Sequence, residues 1–125
     1  MENRLLIQCL TFLMKNRVLL TAFFLRKTKR LLKKYHSLQK SLLQLEKALI
    51  LDPKMGTSYG SGIYKIRLAD ESKGKGKSGG FRVITYVIEE TQEATNIYLV
   101  TIFDKSEEAS IDKNDIREIL KSEGL

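Results

Sequence analysis

Hydrophobic and polar positions follow a helical period in the first half of the chain and a strand period in the second half. Apolar residues recur at helical spacing over 24–38 and 38–51, which predicts two helices joined tightly into a hairpin. Ser37 is placed to cap the second helix. Asp52-Pro53 ends it, because proline cannot continue a helix and restricts the residue before it.

Apolar segments rich in β-branched residues predict strands in four places. The first is 17–23, ahead of the hairpin, and the others are 63–69, 81–89 and 96–104, which follow one another through turns rich in glycine and glutamate. A last helical pattern covers 112–122. The order β-α-α-β-β-β-α indicates an α+β domain, in which a small antiparallel or mixed sheet is covered on one face by the N-terminal helical hairpin.

The charge distribution favours a polyanionic partner. The chain has 125 residues, enough for one domain, and a formal net charge of +7. Cations concentrate in 15–47 and 63–82, whereas 104–123 is mostly acidic. The polyanion should therefore meet the first helix and the region between the second and third strands. Charge that serves only solubility is the alternative interpretation.

Cysteine and histidine usage excludes several classes of site. Cys9 is the only cysteine and His36 the only histidine, so neither an internal disulfide nor a metal cluster of these residues is expected. This composition fits a reducing, cytoplasmic setting. The apolar run from Leu5 to Met14 is too short to span a membrane, and no small-residue cleavage site follows it to mark a signal peptide.

The segment 73-KGKGKSGG-80 looks at first like a phosphate-binding loop. Gly76-Lys77-Ser78 matches the end of the P-loop motif, but Glu71 stands where the first glycine is required. A strand also follows, where the motif requires a helix. The segment is better interpreted as a glycine-rich hairpin loop, which is either a solvated tip or a basic finger that closes on a phosphate backbone through Lys73, Lys75 and Lys77.

The strands beside this loop carry a second group of cations. Lys65 and Arg67 lie two apart on one strand, so their side chains project to the same face. Arg82 begins the next strand and meets them across the hairpin. Such clustering causes self-repulsion, which makes an anionic ligand the reasonable expectation. Charges spaced by accident on an exposed surface are the alternative.

Two segments carry a likeness to a known family. The motif in 62-GIYKIRLADESKGKGKSGGFRVITYVI-88 and the later 99-LVTIFDKSEE-108 resemble the RelE/ParE superfamily of type II toxin–antitoxin toxins, and within it the RelE- and HigB-like members. The likeness extends over roughly 14–122. In this family the first strand begins near the start of the chain, which implies a single RelE-like toxin domain over 14–125. Residues 1–13 would then be an N-terminal extension.

The resemblance implies an activity and its partners. RelE- and HigB-like members are ribosome-dependent mRNA endonucleases (mRNA interferases) that inhibit translation. They use no metal or other cofactor, and the ribose 2′-hydroxyl attacks the adjacent phosphate. The implied partners are mRNA, the ribosome and a cognate antitoxin protein, in the cytoplasm and without a membrane.

Carried over residue by residue, the family's basic positions fall on Lys65, Arg67, Arg82 and Lys105. Our hypothesis is that Arg67 and Arg82 clamp the scissile phosphate, because fixed cations stabilise the charge of the transition state. Lys65 would orient or deprotonate the 2′-hydroxyl. Lys105 or a loop lysine would support the leaving oxygen.

Other candidates near the last strand are less specific. Asp104 is expected to orient Lys105 or act as a base. Tyr86 and Phe103 can stack on an RNA base, although aromatic residues in strands more often belong to the core. The catalytic tyrosine that some members carry after the last strand has no counterpart here. The proton donor is therefore unassigned.

Two other functions fit the same sequence. A ParE-like inhibitor of DNA gyrase would share the fold but would need no phosphate-cleaving cluster. A non-catalytic basic nucleic-acid-binding protein would retain the cations without the acid and base. The convergence of Lys65, Arg67 and Arg82 favours the endonuclease over the gyrase inhibitor, whereas the absent tyrosine keeps the binding protein open.

Overall fold

The computed structural model describes residues 15–72, 80–91, 93–106 and 111–125. Met14 and the apolar segment before it lie outside the described residues, as do Lys73, Lys75 and Lys77. The elements confirm the predicted α+β class. In chain order they are β1 (Arg17–Leu20), α1 (Ala22–Lys34), α2 (Leu38–Leu51), β2 (Thr57–Ser58), β3 (Ile63–Leu68), β4 (Phe81–Glu89), β5 (Thr95–Asp104) and α3 (Lys113–Ser122).

The five strands form one mixed sheet with the spatial order β1-β5-β4-β3-β2. β1 is parallel to β5, and the other neighbouring strands are antiparallel. β2 was missed from the sequence, because a strand of two residues is too short to show an alternating pattern. It adds to the sheet edge through the register pairs Thr57 with Lys65 and Ser58 with Tyr64.

Helices cover both faces of the sheet. The α1–α2 hairpin packs on one face over a core that includes Ile66, Phe81 and Ile102. α3 packs on the other face over a second core that includes Ile84 and Val100. The sequence predicted which helices cover one face of the sheet, the hairpin, but did not predict the position of α3. The apolar stripe of a short terminal helix does not show which sheet face the helix covers. In the described part of the chain, no helix is long and apolar enough to cross a membrane.

The Thr21 side chain explains where α1 begins. The first strand ends at Leu20, earlier than predicted, because Thr21 caps α1 by accepting a hydrogen bond from the Phe24 N–H at 3.0 Å. The Thr21 hydroxyl also donates to the Val100 carbonyl at 2.9 Å. Ser37 occupies the predicted N-cap position of α2, but its hydroxyl makes no capping bond there.

Gly80 fixes the approach of β4 to β3. The sequence interpretation gave this glycine to a flexible loop, whereas the structure shows it buried beside the Leu68 carbonyl. A Cβ atom at residue 80 would lie 2.3 Å from that carbonyl oxygen. The Gly80 carbonyl in turn accepts a hydrogen bond from the Lys105 N–H at 3.3 Å. Gly80 therefore contacts the C-terminal ends of β3 and β5 at the point where β4 begins.

We expect Gly80→Ala to lower the free energy of unfolding by about 2 kcal/mol or more, because backbone must move to admit the methyl group. Gly124→Ala is the control. A Cβ there meets nothing within 4 Å, so its cost should be limited to the left-handed φ of 76°, about 1 kcal/mol. Urea unfolding of both variants measures the difference. Equal losses would contradict the close-approach role.

Candidate active site

Lys65, Arg67 and Arg82, called here the basic trio, lie on the sheet face opposite the helical hairpin. The register of β3 and β4 pairs Arg67 directly with Arg82 and Lys65 with Ile84. Directly opposed residues in an antiparallel pair have Cβ atoms about 4.5–5.5 Å apart. The sheet therefore brings the trio together, as the alternation predicted.

The two arginines sit in different environments. Arg82 is 3% exposed and donates from Nη1 to the Phe81 carbonyl at 3.2 Å, whereas Arg67 is exposed. Burial lowers the pKa of Arg82 from its ordinary value, and the positive charge of Arg67 lowers it further. Like charges directly opposite each other destabilise a sheet. An anion bound between the two guanidinium groups would remove that penalty.

Lys65 is held by an aromatic ring that the sequence did not single out. Its Nζ lies 5.4 Å from the centroid of the Tyr59 ring, within range of a cation–π interaction. Tyr59 itself packs against the α3-side core, just after β2. Because Tyr59 lies in a glycine-rich turn, no periodicity in the sequence could have linked it to Lys65.

Asp104 lies on the opposite sheet face from the trio. It is 1% exposed and is paired in register with Phe81. Its carboxylate accepts hydrogen bonds from the Tyr35 hydroxyl at 2.8 Å and from the Ser106 N–H at 3.0 Å. The structure thus directs Asp104 toward the hairpin. Lys105 follows it and is exposed.

The geometry favours packing roles for both candidate aromatic residues. Phe103 is opposite Arg82 in register, but it is 2% exposed and belongs to the α3-side core. Tyr86 is half-buried beside Tyr98, with ring centroids 6.5 Å apart. Four residues along β4 separate Tyr86 from Arg82, which is about 13 Å.

The described residues hold no group of His, Cys, Asp and Glu that could bind a metal ion.

A second buried carboxylate, Asp70, anchors the chain just after β3. Asp70 is 5% exposed and accepts hydrogen bonds from the hydroxyls of Ser37 and Ser41, each at 2.6 Å. The backbone N–H and the hydroxyl of Ser72 also donate to it. Burial alone would raise the pKa of Asp70, but these hydrogen bonds outweigh burial and lower it. No sequence pattern indicates this cluster, because Ser37 and Ser41 are about 30 residues from Asp70 along the chain.

Asp70 should make the stability depend on pH in the acid range. Its pKa is lower in the folded chain, so its stabilising contribution is present above the ordinary carboxyl value, about 3.9, and disappears as the pH falls through the lowered value. We expect Asp70→Asn to flatten the fall in unfolding free energy below about pH 4, measured by urea unfolding from about pH 7 to about pH 3.

The exposed Glu46→Gln on α2 is the control for loss of one negative charge. Parallel curves for wild type and Asp70→Asn across the acid range would contradict the role given to Asp70.

Comparison with known proteins identifies the family. Residues 16–123 match the family model described as the RelE toxin of the RelE/RelB toxin–antitoxin system. The match spans every described strand and helix, including the strands that carry the basic trio. It indicates a toxin of a toxin–antitoxin system and implies a cognate antitoxin as its partner. The chain belongs to the RelE toxin family.

Proposed function

We propose that this toxin is a metal-independent endoribonuclease that cuts mRNA on the ribosome and so inhibits translation. The observation that carries the proposal is the direct opposition of Arg67 and Arg82 in the β3–β4 register. Family membership supports a toxin, and this arrangement of cations supports a phosphate as the group it acts on.

The proposed reaction is an intramolecular transfer at phosphorus. The ribose 2′-oxygen forms a bond to the adjacent phosphorus as its proton passes to a base, and the bond from phosphorus to the 5′-oxygen breaks. A proton is delivered to that leaving oxygen, so the products carry a cyclic phosphate and a free 5′-hydroxyl. Negative charge accumulates on the phosphoryl oxygens in between, which is where fixed cations lower the barrier.

The two arginines are suited to different parts of this task. Arg67 is exposed, so it meets the phosphate first. Arg82 is held by burial and by its bond to the Phe81 carbonyl, so its position is fixed before the substrate arrives. A cation that is already in place costs no reorganisation during the reaction. The pair therefore serves as a planar clamp for the scissile phosphate.

Two lysines flank this clamp. Lys65 is two residues from Arg67 on the same face, about 7 Å along the strand, where it can orient the 2′-hydroxyl. Lys105 follows β5 at the same end of the sheet, tied by its N–H to Gly80, where it can support the leaving oxygen. We propose these roles for Lys65 and Lys105.

The basic outer surface of α1 supports a large RNA partner. The helix Ala22–Lys34 contains no acidic residue. Its exposed cations are Arg26, Lys29, Arg30, Lys33 and Lys34. Such a surface binds phosphate backbones without regard to sequence, which suits a toxin that must dock on ribosomal RNA before it cuts a message.

The proposal predicts that Arg67→Ala/Arg82→Ala abolishes mRNA cutting. We expect induction of the unaltered chain in cells to produce new mRNA 5′ ends within translated regions, each with a free 5′-hydroxyl. The double variant should lose these ends, a fall of at least about 100-fold, because both charges that stabilise the transition state are gone. Sequencing of 5′-hydroxyl RNA ends measures the effect.

Lys40→Ala/Lys47→Ala is the matched control, since it removes two exposed cations from α2 on the opposite side of the sheet. It should cut as the wild type does. Growth arrest with intact mRNA and broken DNA would instead assign the chain to the gyrase inhibitors. Neither effect, with RNA binding retained, would assign it to the non-catalytic binding proteins.

A further inference from the structure

Residues 35–41 comprise the turn between α1 and α2 and the first turn of α2, and we call them the hairpin junction. The junction is hydrogen-bonded to the end of β5 and to the chain just after β3, on the sheet face opposite the basic trio. Its Tyr35 donates to Asp104 at the end of β5, and its Ser37 and Ser41 donate to Asp70 just after β3. These two carboxylates are 1% and 5% exposed, respectively. Three hydroxyls of one short segment thus donate to two buried acids, one at the end of β5 and one just after β3.

The junction also touches the strand between those two ends. The Tyr35 ring packs edge-on against Phe81, with centroids 5.2 Å apart and planes at 77°. Phe81 is fully buried, precedes Arg82 and is opposite Asp104 in register. Because Phe81 and Arg82 are adjacent, a displacement of Tyr35 that moved Phe81 would also move the backbone of Arg82.

Ser37 shows that the junction is not arranged for the helix alone. It occupies the cap position of α2, where its hydroxyl would ordinarily stabilise the first turn. Instead the hydroxyl is directed to Asp70, at the base of the segment that leads to Gly80 and Arg82. The Ser37 hydroxyl therefore does not stabilise the first turn of α2 and instead stabilises the contact between α2 and the chain after β3.

We propose that Tyr35, Ser37 and Ser41 are positioning residues for cleavage. From the opposite face of the sheet, Tyr35 acts through Asp104 to hold Arg82 and Lys105 in place, and the two serines act through Asp70 to hold Arg67. Tyr35 fixes the turn that carries Lys105, because Asp104 accepts from both the Tyr35 hydroxyl and the Ser106 N–H. Ser37 and Ser41 fix the exit of β3 through Asp70. Small displacements of a catalytic group lower rate steeply, which gives such anchors a catalytic effect.

This inference rests on the proposed nuclease activity, and Tyr35→Phe tests it with the smallest change. The variant removes the bond to Asp104 but keeps the ring against Phe81. In single-turnover cutting of a short mRNA on programmed ribosomes, we expect the maximal rate to fall about tenfold while the half-saturating ribosome concentration stays within about twofold. Tyr64→Phe is the matched control, since Tyr64 also packs against the hairpin-side core. It should cut at the wild-type rate.

A double-mutant cycle separates this role from general stability. Asp104→Ala, which removes both acceptor oxygens, should lower the maximal rate at least as much, and Tyr35→Phe should cause no further loss in that background, since the bond is already absent. Ser37→Ala and Ser41→Ala should each lower the rate and cause no further loss in an Asp70→Ala background. Full additivity in any of these three pairs would overturn the inference.

Amide hydrogen exchange supplies a readout that does not depend on cutting. In Tyr35→Phe, exchange at the Lys105 and Ser106 amides should accelerate, while the Ile97 amide on β5 should not. A wild-type chain that fails to cut would overturn the proposed function. A wild type that cuts, together with a Tyr35→Phe variant of unchanged rate and unchanged exchange, would overturn the positioning role alone.

Discussion

The opposition of Arg67 and Arg82 across β3 and β4 is the constraint on which the account of this site depends. Two cations in direct register repel each other, and one of them is almost fully buried. Such repulsion lowers stability, and an anion between the two guanidinium groups would reduce it. The rest of the fold supports this pair: Gly80 lets β4 approach β3, the Tyr35–Asp104 bond holds the end of β5, and α3 closes the core next to the site.

The face that carries the cations has a core of its own. Because α3 covers part of it, Phe103 and Tyr59 are packed beside the trio and limit where an RNA base can lie. Arg82 is thus buried and Lys65 half-buried, whereas Arg67 is exposed. Around the buried Arg82, electrostatic interactions are stronger than in water. The hairpin face carries the buried acids and their hydroxyl partners, whereas the opposite face carries the basic trio.

Strong local patterns in the sequence predicted most of the fold and part of the site. The strand 81–89 and the helix 38–51 were predicted with the bounds the structure shows, because a long apolar run rich in β-branched residues and a regular leucine stripe leave little ambiguity. Strand alternation also placed Lys65 and Arg67 on one face. The Ser37–Asp70 and Tyr35–Asp104 bonds join residues that are far apart in the chain, so no window of local sequence contains both partners. Tyr59 is only six residues from Lys65, but it lies before a glycine-rich turn, where no periodic pattern indicates a contact.

The stability of Arg67→Ala, with and without RNA, tests the central claim most directly. In buffer alone, thermal unfolding should show the variant to be more stable than the wild type, by about 0.5 kcal/mol, since a repulsive pair has been removed. A non-cleavable RNA with a 2′-deoxyribose at the cut site should stabilise the wild type, and the variant much less. A variant that is less stable in buffer and gains as much from the RNA as the wild type would contradict the account.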